Sequence, residues 1–104
     1  MEITREQFVQ EINELSAKET RFNVSSSDIG NVTFYLRGCL ISANLEEGVN
    51  GEITMFKPDM EVTLDFDIVD EITKQDKTYT FSFVNGLSDV DIAIVQWIKR
   101  RSIW

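Results

Sequence analysis

Residues 61–72 read EVTLDFDIVDEI, and what this stretch does decides the fold. Val62, Leu64, Phe66 and Ile68 share one parity, while Glu61, Asp65 and Asp67 share the other with Thr63. Alternation of this kind is the signature of a strand with one apolar and one wet face. The stretch is therefore expected to be a single strand running to about residue 73, its carboxylates on the outer face. Side chains of one parity stand about 6.8 Å apart, so Glu61, Asp65 and Asp67 would form a strip of negative charge.

Working outward, Lys57-Pro58-Asp59-Met60 closes the preceding short strand, EITMF at 52–56, with proline suited to the second position of a turn. On the other side Lys74-Gln75-Asp76-Lys77 is a polar turn, and TYTFSFV at 78–84 alternates again. Upstream, Phe34 and Leu36 share one parity but Cys39, Ile41, Ala43 and Leu45 the other, and the slip falls at Gly38. A glycine at such a slip predicts one long strand over 31–45 with a bulge near Gly38.

Helices are expected at both ends. Thr4 with Gln7 makes a capping-box pattern, followed by Phe8, Val9, Ile12, Leu15 and Ser16 at helical spacing, so the N-terminal helix is placed at 4–18. Ser88 with Asp91, then Leu87, Val90, Ile94, Trp97 and Ile98, predict a second helix over 88–101; Val90, Ile92 and Ile94 also alternate, which leaves a fifth strand as the other reading. The expected architecture is α+β: N-terminal helix, four-stranded antiparallel meander and C-terminal helix, in a single domain of residues 1–104 with both helices on one face of the sheet.

Composition narrows function by exclusion. The 104 residues contain no histidine and one cysteine, Cys39, which removes Ser-His and Cys-His nucleophilic sites, an intramolecular disulfide and cysteine-clustered zinc. No phosphate-cradling glycine motif occurs, and the one glycine-bearing acidic loop, LEEGVNGE at 45–52, lacks calcium-ligand spacing. Asp65, Asp67 and Asp70 on an open strand make a poor cation site for the same reason. No cofactor or metal is expected, and no catalysis. The formal charge of −8 disfavours direct contact with nucleic acid. Ten of the 18 acids fall within residues 46–76, so that third carries the whole imbalance. The opening lacks a secretory pattern and no run approaches a bilayer span, so the expectation is a cytoplasmic chain without a membrane partner.

The preferred functional expectation is a non-catalytic interaction module of inhibitor or adaptor type. It would dock a basic protein surface through Glu61, Asp65 and Asp67, with Phe56 and Trp104 as aromatic anchors. Trp104 ends the tail KRRSIW, which combines three cations with an aromatic residue. Two rivals stand beside it. One is a small-molecule module with a pocket between sheet and helices, lined by Phe34, Phe81 and Trp97. The other is a subunit of a homodimer or larger homo-oligomer that uses exposed Tyr35 and Phe56.

Overall fold

Asp65 ends one strand and Val69 begins another, and the two strands lie six places apart in the same sheet. The computed structural model describes residues 1–26, 34–45, 51–84 and 89–95. In chain order the elements are β1 (Glu2–Ile3), α1 (Arg5–Ala17), β2 (Phe22–Ser26), β3 (Phe34–Leu45), β4 (Gly51–Lys57), β5 (Met60–Asp65), a 3-10 turn (Phe66–Ile68), β6 (Val69–Gln75), β7 (Thr78–Phe83) and β8 (Val90–Ile94). The strands form one antiparallel sheet of eight in the order β1-β6-β7-β8-β2-β3-β4-β5.

That order forces the sheet to curl. Six inter-strand steps on a flat sheet span about 29 Å, whereas the four residues from Asp65 to Val69 reach at most about 14 Å. The two flanks must therefore bend toward each other, and the 3-10 turn bridges them. Phe66 is the pin, fully buried with its ring 6.2 Å from that of Phe8 on α1.

The four-strand, two-helix expectation is overturned. The stretch 61–72 is two strands and a turn because its alternation fails at the doublet Ile68-Val69, where neighbouring apolar side chains cannot both face inward along one strand. Residues 90–94 are a strand: Val90 and Ile92 point into the core while β8 pairs with β7 on one side and β2 on the other. Asp91, expected in the first turn of a helix, sits mid-strand and accepts a hydrogen bond of 2.7 Å from Thr80 Oγ1. The branched side chains suit the strand, and the two flanking ladders outweigh helical spacing. The remainder of the expected helix, Ser88 and 96–101, lies outside the described residues. β1 and β2 were not anticipated.

Gly38 carries the bend in β3. Its φ is +69°, and the β2–β3 register slips between Phe22↔Cys39 and Val24↔Leu36, so Arg37 and Gly38 together oppose Asn23. The Gly38 N–H is satisfied by Asn23 Oδ1 at 2.9 Å. On either side of the bulge β3 pairs with β2, as far as Cys39; beyond that, Leu40–Leu45 pair with β4.

The helix is held by its polar residues as well as its apolar ones. Its N-terminus is the expected capping box, with the Gln7 N–H donating to Thr4 Oγ1 (3.0 Å) and the Thr4 N–H to Gln7 Oε1 (2.9 Å). Phe8 and Ile12 are fully buried, and the Phe8 ring meets Tyr79 and Phe81 edge-on at 5.2 and 5.0 Å. Burial of rings this size contributes about 1.5–3 kcal/mol each. Past Cys39 β2 no longer covers β3, and α1 supplies the missing partners. Asn13 donates to Ala43 O (2.8 Å) and accepts from Ala43 N–H (3.2 Å), while Ser16 Oγ donates to Ile41 O. Arg5 Nη2 donates to Phe66 O (3.2 Å) and Val69 O (2.6 Å), clamping both ends of the 3-10 turn. Among the described residues no helix is long and apolar enough to cross a membrane.

Candidate functional site

β4 and β5 are joined by the two-residue turn Pro58–Asp59, which fixes their register: Lys57↔Met60, Phe56↔Glu61, Thr54↔Thr63 and Glu52↔Asp65. The inner parity, Ile53 and Met55 with half-buried Val62 and Leu64, belongs to the core. The outer parity is wet. It reads Glu52, Thr54, Phe56 on β4 and Asp65, Thr63, Glu61 on β5, with Ser42 and Asn44 alongside on β3. The two threonines touch, Oγ1 to Oγ1 at 3.5 Å.

Glu52 directly opposite Asp65 is a like-charge cross-strand pair, an arrangement that destabilises a ladder. Neither carboxylate has found a cation, for among the described residues the one ion pair is Lys74–Glu11. Asp65 also stands where a cap for the 3-10 turn would stand, yet its side chain accepts no hydrogen bond there. Its carboxylate is left to solvent.

Of the residues expected to dock a partner, Glu61 and Asp65 are exposed on this face as anticipated. Asp67 is exposed but belongs to the 3-10 turn, beyond the end of the ladder, so the strip of Glu61, Asp65 and Asp67 does not exist as a strand face. Phe56 is half-buried across from Glu61 and lines a hollow of about 230 Å³ with Arg21, Leu40, Lys57 and Pro58. Trp104 lies outside the described residues. Glu52 was missed, although the turn Pro58–Asp59 makes opposite residues sum to 117 and so pairs 52 with 65. Of the residues expected to line a pocket between layers, Phe81 is packed against Phe8, and the Phe34 side chain and Trp97 lie outside the described residues.

No protein-family model, curated protein or solved structure matches this chain.

Two further places collect charge. Glu11 Oε1 accepts from Lys74 Nζ (2.8 Å) and Tyr79 Oη (2.6 Å). The bond from Lys74, then that from Tyr79, hold the Glu11 carboxyl below the ordinary carboxylate range. Burial, then the neighbouring Glu11, push the Tyr79 hydroxyl well up. This trio ties helix to sheet: Glu11 stays an acceptor and Tyr79 a donor through neutral pH. The second place is a cavity of about 460 Å³ between the N-terminus of α1 and β6, lined by Glu2, Ile3, Thr4, Arg5, Glu6, Asp70, Glu71 and Ile72. Its guanidinium is already engaged with the carbonyls of Phe66 and Val69. Among the described residues no group of acidic or sulfur ligands is arranged to hold a metal. Cys39 is buried in the core, and burial pushes its thiol up, away from the thiolate form that reacts.

Proposed function

We propose that this chain is a non-catalytic interaction module that works in the cytoplasm and captures a partner with a basic surface on the outer face of β4 and β5. The reading rests on one observation: Glu52 and Asp65 stand opposite each other, solvated and with no cation paired to them among the described residues, two pairs along from Glu61. A ladder that keeps such a pair gives up about 0.2–1 kcal/mol that a threonine pair would retain. A basic partner reverses the sign of that interaction, which supports the face as a binding surface. The thick of the negative charge lies in the same third of the chain, favouring fast, salt-sensitive encounter. Phe56 and Leu40, adjacent across β3 and β4, offer apolar contact at the end of the face.

The test is affinity capture from lysate of the source cell at low and moderate salt, comparing wild type with Glu52→Gln/Asp65→Asn and with Asp67→Asn. The expected result is a basic protein held by wild type and Asp67→Asn, released by salt and lost by the double variant. Equal recovery on all three chains would leave the face an ordinary solvated surface.

A further inference from the structure

We infer that the partner is taken as an extra strand: an extended segment alternating basic and apolar residues pairs with the free edge of β5, a mode of docking that rests on the acidic-face reading above. β5 ends the sheet order, and among the described residues no strand pairs with its outer side. In an antiparallel ladder alternate residues of an edge strand direct their N–H and C=O groups away from the partner, so β5 offers about three of each. The opposite edge is unlike it. β1 is only two residues long and is itself strapped to β6, with Lys74 N–H donating to Met1 O at 2.8 Å.

The side chains of β5 specify what the added strand carries. Glu61, Thr63 and Asp65 point outward and are exposed, so the flanking positions of the incoming segment on that face suit two cations spaced four residues apart. Val62 and Leu64 point inward and remain half-buried, the last apolar row before solvent. Valine, isoleucine or leucine at the intervening positions would complete that row. The same charges reject a second copy of this chain, because antiparallel β5-to-β5 pairing centred on Thr63 sets each Glu61 against an Asp65. An acidic edge that repels itself yet keeps its backbone groups open selects a basic strand.

The probe is a capped heptapeptide, Val-Lys-Val-Thr-Val-Lys-Val, which has the same pattern in both directions and so serves parallel or antiparallel addition. It is titrated into the full chain at low salt, with amide chemical shifts and hydrogen exchange followed residue by residue. Three controls accompany it: glutamate in place of both lysines, N-methylation at the two lysines and the threonine, and N-methylation at the two inner valines. Strand pairing is one-sided, so one N-methylated peptide should bind about tenfold or more weaker than the parent while the other binds nearly as well. The parent should slow exchange of β5 amides, and the glutamate peptide should not bind. If both N-methylated peptides behave alike, strand addition is wrong; where both still bind as the parent does and shifts map to Glu52, Glu61 and Asp65, the acidic-face reading survives without it. A parent peptide that fails to bind at low salt overturns both.

Discussion

Glu11 ties the helix to two strands through a single carboxylate. Lys74 from β6 and Tyr79 from β7 converge on one carboxylate oxygen, and the Lys74 ammonium lies 5.4 Å from the Tyr79 ring. The lysine and glutamate side chains are each about one-third exposed, 31% and 33%, so the gain is screened, and Glu11→Gln should cost only about 0.5–1.5 kcal/mol at pH 7. The pH dependence separates charge from packing. Because the folded carboxyl is held below its ordinary 4.5, its stabilisation is full above that value and is lost as pH falls through the folded pKa. Urea unfolding of wild type and Glu11→Gln from pH 7 to pH 3 should therefore converge at the acid end. A gap that stays constant would assign the effect to shape. Tyr79 works in the other direction. Its folded pKa is raised, so its contribution is complete below about 10 and erodes as the unfolded chain begins to ionise.

At the scale of elements, Gly38 and Glu19, two of the three described residues in left-handed backbone, occupy it for opposite reasons. Gly38 needs φ of +69° to make the bulge, and a Cβ built there meets nothing within 4 Å, so the whole cost of a side chain is conformational. Glu19 follows the helix at φ +59°, where Thr20 N–H returns to Leu15 O and Glu19 N–H to Ser16 O. That closure usually takes glycine. Gly38→Ala should thus destabilise by about 1–2 kcal/mol and Glu19→Gly should stabilise by up to about 1 kcal/mol, with midpoints in urea shifting in opposite directions at unchanged slope. A tolerated Gly38→Ala would mean that β3 bends elsewhere. The bulge, the capping box and the turn Pro58–Asp59 were legible because each is written in local parity or turn chemistry. β2 was hidden by its length: Phe22 and Val24 are a single alternation beside a serine-rich run. β8 was misread because Val90 and Ile94 fit both periods, and only the vacancy between β7 and β2 decides between them. The split at Ile68-Val69 was visible as a doublet, but its consequence, strands sent to opposite flanks of the sheet, is set by long-range pairing that no window of sequence contains.

For the whole molecule the decisive quantity is charge. A net −8 on 104 residues opposes compaction, and the β4–β5 arm concentrates that repulsion where Glu52 faces Asp65. Glu52→Gln/Asp65→Asn should therefore raise the melting temperature at low ionic strength, by a few degrees if the like-charge pair costs about 0.2–1 kcal/mol. Added salt should raise wild type more than the variant until the two meet, because exposed charges are screened over about 3 Å at 1 M. If the variant melts lower, or its advantage persists at 1 M salt, the pair is not the source of strain. The same measurement bears on function. A basic ligand that binds the folded face stabilises it by mass action, so a cationic partner should raise the wild-type melting temperature and leave the neutralised variant nearly where it was. The stability that the acidic ladder lacks when free is then the stability it recovers on binding.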